Sequence, residues 1–578
     1  MFIDLNNDST LPQYSIDILK DRYMLPEESS PQEAFARAAK AFSDNDEHAQ
    51  RLYNYVSKFW FMFSTPLLSN GGTSRGLPIS CFLSHVPDSR QGIADHYKEN
   101  MFLASVGGGI GSDWSSLRTA GTSTSSGSQS NGVIPFIKVV DSEIMAVSQG
   151  KTRRGSYAYY LRIDHPDIEE AITARKPTGG DSNRKCLNLH NAVIVTDSFY
   201  NAVHKDLDWD LIDPHSKKVV KTVKARDLWK LIIETRLTTG EPYILNIDTA
   251  NKCISKYHKA LGLTLTTSNL CSEILEPVSE ERTAVCCLSS VNLEKYDEWK
   301  DDPQFIEDLV RMLDNALEHF ITHAPKELEK AIYSASRERS IGLGAMGFHS
   351  YLQSKNIPFE GPLASGINRS LFKHIKTKAE EATVLLAKER GSCPDAGTDV
   401  RRNIYLLAIA PNASSGLLAG TSPSIEPWRA NAFTQKTLSG SFLVKNKYLQ
   451  KLLADRGADT KEVWKSIITN EGSVQHLDIL DDWEKDVFKT AMEIDQKWIV
   501  DHAAIRQEYI CQSQSINLFF PSDVDIKYVH DVHWMAWVRG LKTLYYCRST
   551  PVRRISAISN KVDRVQRQDS DECFSCEG

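Results

Sequence analysis

The sequence predicts an α/β fold, and three observations carry that prediction. Short apolar runs recur along the chain: "NAVIVT" (191–196), "PYILNI" (242–247) and "NIYLLAIA" (403–410). Longer stretches of helical periodicity separate them, such as "DPQFIEDLVRMLDNALEHFI" (302–321). The runs are apolar at consecutive rather than alternate positions, the pattern of strands covered on both faces by helices.

The elements follow in order. "SPQEAFARAAKAF" (30–42) opens with Ser-Pro-x-Glu and repeats apolar residues at three- and four-residue steps, which predicts a helix with a capping box. Residues 1–65 therefore form a small helical region. From "FSTPLLSNGG" (63–72) onward the strand-like runs begin, and the α/β body spans 66–550. Within it the Gly/Ser/Thr-rich stretch "TAGTSTSSGSQSNG" (119–132) reads as a flexible loop. After Pro551 the apolar pattern fades, and 551–578, ending "DRVQRQDSDECFSCEG", is expected to be a disordered tail. No internal repeat is visible.

Composition excludes several classes. The 578 residues are 41% hydrophobic and 25% charged, with a net charge of −6, so no basic field invites nucleic acid. No stretch reaches the ~18 apolar residues of a membrane helix. The start "MFIDLNNDSTLPQYS" lacks the basic and apolar regions of a signal peptide. The eleven cysteines are scattered rather than framed as in secreted proteins. A soluble, cytoplasmic enzyme is the expectation.

Chemistry concentrates in "TTSNLCSEILEP" (266–277). In an extended segment residues two apart share a side, so Asn269, Cys271 and Glu273 would converge while Leu270 and Ser272 face away. Read alone, the segment equally fits a buried cysteine beside a solvated glutamate. Three more segments belong with it: "LPISCFLSHVPDS" with Cys81, "AVCCLSSVNL" with Cys286 and Cys287, and "GLKTLYYCRST" with Tyr545 and Tyr546. The C-terminal pair Cys573 and Cys576 forms a C-x-x-C with no second C-x-x-C or C-x-x-H to complete a zinc site. No metal site is expected in this chain.

With "RERSIGLGAMGFHSYL" (337–352), "PNASSGLLAGTSPSIEP" (411–427) and "CQSQSINLFF" (511–520) in the same order, the sequence resembles the large, catalytic subunit of class I ribonucleotide reductase over nearly its whole length. The resemblance implies a ten-stranded α/β barrel of two five-stranded parallel halves with a central finger loop. It implies that Cys271 is the transient thiyl that takes the 3′ hydrogen, Glu273 the base on the 3′-hydroxyl and Asn269 the residue that orients the sugar. Cys81 and Cys286 would supply two electrons and end as a disulfide, while Cys287, beside Cys286, departs from the single cysteine expected and reads as a buried bystander. Cys186, Cys253, Cys393, Cys511 and Cys547 match no catalytic position and read as small buried hydrophobes.

The tail pair would carry electrons from thioredoxin or glutaredoxin inward by exchange, because 28 residues of coil span about 30 Å. Tyr546 and then Tyr545 would pass a radical from a separate metal-containing small subunit to Cys271. The strand-turn-helix at Pro411, Asn412, Ala413, Ser414 and Ser415 suits a diphosphate held by backbone amides, with Thr65, Ser80 and Gly109 completing the nucleoside diphosphate pocket. Gly109, within "SVGGGIGS" (105–112), would let the backbone approach substrate closely.

Effector dNTP or ATP would sit at the interface of a homodimer, its ribose on Asp88 and its phosphates on Arg118. The 119–132 loop and "SQGKTRRGS" (148–156) would relay the signal, and Arg153 would touch substrate. No covalently bound cofactor is expected. Nor is an N-terminal ATP-binding domain, so control by dATP through this chain's own sequence is not expected. Two alternatives stay open: a cobalamin-dependent reductase acting alone, and a nucleotide-sensing paralogue without chemistry.

Overall fold

The computed structural model describes residues 1–124, 127–147, 155–437 and 440–549. Arg153, Cys573, Cys576 and the tail 551–578 lie outside them.

The front end is helical, as expected. Helix Pro31–Ala41 begins at Ser30 with both halves of the capping box, Ser30 and Glu33, formed, and buries Phe35 and four alanines. Helices Gln13–Arg22 and Asp46–Ser57 complete the layer.

The body is built on strands β1 (Phe61–Phe63), β2 (Cys81–His85), β3 (Gly109–Asp113), β4 (Ser156–Arg162), β5 (His190–Val195), β6 (Tyr243–Asn246), β7 (Ala284–Asn292), β8 (Ile341–Met346), β9 (Leu518–Phe520), β10 (Thr543–Leu544) and β11 (Cys547–Ser549). Strands β2, β3, β4, β5 and β6 pair in parallel, in that order. β7 pairs antiparallel to β2 on one edge and parallel to β8 on the other, while β10 pairs antiparallel to β6. β1 continues the β2 edge of β7, antiparallel.

Between β8 and β10 the ring closes through two extended segments. Leu343 bridges Leu407, and Ile409 bridges Gln514, both in parallel; Tyr545 N then donates to Ile516 O at 2.9 Å. The result is a barrel of two five-stranded parallel halves that run in opposite directions. "NAVIVT" and "PYILNI" are β5 and β6, as expected. "NIYLLAIA" forms bridges rather than a continuous ladder, because its donors are shared among neighbours: Ile404 N reaches Glu338 O, Ile409 N reaches Ser513 O, and Leu406 and Leu407 N both point at Cys511 Sγ at 3.2 Å.

Helices such as Phe305–His323 cover the outside with an apolar face. The interior of the barrel is occupied by chain. Residues 263–279 adopt neither helix nor strand, yet 267–278 are buried throughout. This is the finger the resemblance led us to expect. A buried loop must satisfy its backbone from its surroundings, and the walls supply the partners.

Candidate active site

The finger is braced from both halves of the barrel. From the first half, Tyr160 on β4 donates to Asn269 O at 2.7 Å and lies 3.1 Å from Ser272 Oγ. From the second, Ser513 N donates to Glu273 O (2.8 Å), Gln512 Oε1 accepts from Leu275 N (3.0 Å), and Ser515 Oγ donates to Cys271 O at 2.6 Å. Within the finger, Ser268 Oγ donates to Ile274 O and Asn269 Oδ1 accepts from Ile274 N.

The tip corrects one expectation. Asn269, Cys271 and Glu273 do not alternate along an extended segment: Ser272 N donates to Asn269 O at 3.3 Å and Ser272 is left-handed, with φ +65°. The chain must reverse inside the barrel, so residues 269–272 form a turn, with Cys271 at its apex.

The three residues still meet in one buried place: Asn269, Cys271 and Glu273 are at most 3% exposed. Ser515 Oγ lies between the backbone of Cys271 and Glu273 Oε2, 3.2 Å from the latter. Asn269 Oδ1 is engaged, but its Nδ2 has no hydrogen-bond partner among the described residues. The finger tip therefore carries a buried amide donor, a thiol and a carboxylate.

Two glycines on β3 make the finger possible. A Cβ on Gly109 would lie 3.0 Å from Leu270 Cδ2, and one on Gly111 only 1.9 Å from Ser268 O. Gly109 therefore faces the finger, and Gly111, which sequence reasoning passed over, is the tighter of the two.

Cys81 and Cys286 stand directly opposite one another across the antiparallel β2–β7 pair. Facing residues of such a pair have Cα atoms about 4.5–5.5 Å apart, inside the range a disulfide spans. Both are buried, at 5% and 1% exposure, and pack with Ile274 and Val278 of the finger. Burial pushes the Cys286 thiol well above its usual pKa. Cys287 points to the other face of β7 and packs in the main core instead; burial raises its pKa as well. Of the remaining cysteines, Cys186, Cys393 and Cys547 are buried. Cys253 departs from that reading: it is exposed, closing the surface helix Ile247–Lys252. Cys511 is half-buried and accepts backbone hydrogen bonds.

Tyr545 and Tyr546 lie between β10 and β11, ring centroids 4.3 Å apart. They share one buried cluster with Cys271, Leu270 and Tyr160. Tyr243 of β6, unremarked in "PYILNI", touches both tyrosines, at 4.7 and 5.1 Å. Tyr546 OH is 3.2 Å from His190 Nδ1, itself 2.6 Å from Glu241 Oε1, and the Arg548 guanidinium covers the Tyr546 ring.

Tyr545 also lines a cavity of about 340 Å³ with Pro411, Ala413, Glu426, Asn517 and Arg548. Helix Ala413–Ala419 opens toward it behind a left-handed Asn412, whose side chain does not cap the helix's first amides. The Asn412 side chain is used elsewhere, on Ser290 Oγ and Ala345 O. Ser414 and Ser415 are buried at this end. Thr65 is buried just after β1, 3.2 Å from Tyr23 OH, and Ser80 O accepts from Gly109 N.

Asp88 and Arg118 face each other: Arg118 Nη2 and Nε lie 2.9 and 3.0 Å from Asp88 Oδ2, and His215 is 3.4 Å from the same oxygen. Elsewhere His258, Glu338 and Asp395 cluster in the interior. Arg282 already reaches Asp395 at 2.9 Å and Arg337 at 2.7 Å, so the cluster is an ion-pair network.

A closed ten-stranded barrel around a buried finger is the architecture of a reductase barrel, and the comparisons agree. The family model described as ribonucleotide reductase, barrel domain, matches residues 79–399 and 395–547. That for the ribonucleotide reductase all-alpha domain matches 10–76. The chain is 43% identical to the ribonucleoside-diphosphate reductase large subunit of Invertebrate iridescent virus 3, covering 100% of both chains. It is 48% identical to a putative ribonucleoside-diphosphate reductase large subunit of Frog virus 3 (isolate Goorha), covering 94% of each. Among solved structures, the Actinobacillus ureae class Id ribonucleotide reductase alpha subunit superposes with TM-score 0.84 at 33% identity, over 95% of this chain and 99% of that one. This chain belongs to the ribonucleotide reductase large-subunit family.

Proposed function

We propose that the chain is the catalytic subunit of a ribonucleoside-diphosphate reductase that works with a radical-bearing small subunit. The observation that carries this reading is the placement of Cys81 opposite Cys286 beside a finger that presents Asn269, Cys271 and Glu273.

The substrate diphosphate rests on the uncapped amides and hydroxyls at Ala413, Ser414 and Ser415, with Thr65 and Ser80 nearby. Cys271, as a thiyl, takes the 3′ hydrogen. Glu273 takes the 3′-hydroxyl proton, and the Asn269 amide donates to a sugar hydroxyl. The 2′-hydroxyl leaves as water while Cys81 and Cys286 give up two protons and two electrons and join as a disulfide. Burial of Cys81, Asn269, Cys271, Glu273 and Cys286 keeps water from a reactive radical. The radical reaches Cys271 from Tyr546 through Tyr545, and Tyr243 packs against both rings. Cys573 and Cys576 then reopen the disulfide at the expense of thioredoxin or glutaredoxin.

Asp88 and Arg118 bind an effector dNTP or ATP at a homodimer interface once it displaces their mutual pairing, and Arg153 reports its identity to the substrate. The metal belongs to the small subunit. The enzyme acts in the cytoplasm.

The test is CDP reduction by the purified chain with dithiothreitol and an effector, comparing a radical-loaded small subunit with adenosylcobalamin. Activity with the small subunit alone, lost in Tyr545→Phe, supports the proposal. Activity with adenosylcobalamin alone overturns the tyrosine route.

A further inference from the structure

One acid next to the cysteine pair has no part in the scheme above. Glu276 is fully buried, and neither of its carboxyl oxygens has a hydrogen-bond partner among the described residues. The polar groups that face it are the Cys286 thiol and the Gln512 amide. Gln512 fixes that arrangement: its Oε1 accepts from Leu275 N at 3.0 Å, and its Nε2 lies 3.3 Å from Cys286 Sγ. One amide thus holds both the backbone beside Glu276 and the sulfur. The other titratable groups acting on this carboxyl are Glu338 at the end of helix Glu329–Glu338, Cys511 and Tyr405. None of these is a cation. Burial, and after it the Glu338 charge, raise its pKa well above the carboxylate range, which favours the protonated acid.

We propose that Glu276 gives this proton to the Cys286 sulfur when the Cys81–Cys286 disulfide is reopened. The inference rests on the cysteine-pair reading above. Cys81 is the more exposed of the two, so an entering dithiol attacks its sulfur. The S–S bond breaks, a mixed disulfide forms at Cys81, and the electron pair leaves on Cys286. A buried thiolate of high pKa is a poor leaving group, and a proton delivered from Glu276 offsets that. The second thiol of the dithiol then attacks the mixed disulfide and releases Cys81. The dithiol is oxidised to its disulfide, and its two protons go to Cys81 and back to Glu276.

The experiment uses the full-length chain carrying Cys573→Ser and Cys576→Ser, so that the tail pair cannot reopen the disulfide, with its radical-loaded small subunit. Pre-reduced enzyme makes one turnover of CDP, the loss of two thiols is counted, and dithiothreitol is added while thiol return is timed. Glu276→Gln keeps the shape without the acid. It is expected to form the disulfide in the first turnover but reopen it about 10²-fold more slowly, the scale of general acid catalysis. Glu276→Asp, an acid one methylene shorter, should recover part of that rate. Where the Gln variant does not fold, the Asp variant alone should reopen about tenfold slower than wild type. Variants that form the disulfide and reopen it at the wild-type rate overturn the proposal and leave the cysteine pair intact. Wild-type enzyme that makes product without losing two thiols overturns the pair itself.

Discussion

Gly111 offers the sharpest test of how the finger is held. In Gly111→Ala the new methyl would sit 1.9 Å from Ser268 O and 2.8 Å from Asn269 Cα. Both are backbone atoms, so no side chain can rotate away. To restore contact near 3.0 Å, the finger must withdraw by about 1 Å, a misplacement that costs about 10²-fold in rate when it separates reacting groups. Overpacking adds about 1–3 kcal/mol of destabilisation. The bonds from Tyr160 OH to Asn269 O and from Ser515 Oγ to Cys271 O would stretch, at about 1 kcal/mol each.

CDP turnover in Gly111→Ala should therefore fall about 10²-fold or more, with the thermal midpoint down by a few degrees. Gly366→Ala is the control: it lies in helix Pro362–Arg390 with nothing within 4 Å of its Cβ position, and it should leave turnover unchanged. Wild-type turnover in Gly111→Ala would refute the claim that β3 positions the finger.

Tyr546→Phe should abolish turnover while leaving CDP affinity unchanged, as measured by equilibrium binding. For His258, burial lowers its pKa, but hydrogen bonding to the Asp395 and Glu338 carboxylates and their charge outweigh this and raise it to about 8. The raised value stabilises the fold fully below about pH 6.5, and that contribution disappears as pH rises through about 8. The wild-type urea midpoint should thus drop between pH 6 and pH 9 by the equivalent of about 2 kcal/mol, and the drop should shrink in His258→Gln. Cys573→Ser with Cys576→Ser should lose thioredoxin-supported turnover and keep dithiothreitol-supported turnover.

What was legible in the sequence follows a physical division. Helix Pro31–Ala41 and strands β5 and β6 were legible because capping and local apolar runs determine them. That Asn269, Cys271 and Glu273 belong together was legible in the sequence, but their arrangement in a turn, and the burial of all three, were not. The turn at 269–272 depends on a reversal imposed by walls more than a hundred residues away in sequence, Tyr160 on one side and Ser513 and Ser515 on the other. Period-two reasoning has no access to such partners. Gly111 stayed hidden for the same reason, since its neighbour is a carbonyl on another segment. The Cys81–Cys286 pairing and the bystander reading of Cys287 were implied only by resemblance, and it is the alternation of β7 that turns Cys287 to the other face.

The two halves of the barrel brace the finger with different chemistry, and this bears on how the site can work. The first half offers glycine surface and one tyrosine hydroxyl, which fix where the finger lies without adding charge. The second half offers Gln512, Ser513 and Ser515, whose side chains and backbone reach the finger next to Cys271 and Glu273 and also the Cys286 sulfur. One short segment, 512–515, therefore touches the Cys271 backbone, the Glu273 carboxylate and the Cys286 sulfur together. It also joins directly to Ile516, whose carbonyl accepts from Tyr545 N. A shift of this segment would move all four at once. Its position in the barrel wall, bonded to Ile409 on one side and Thr543 on the other, fixes the finger, the Cys286 sulfur and Tyr545 relative to one another.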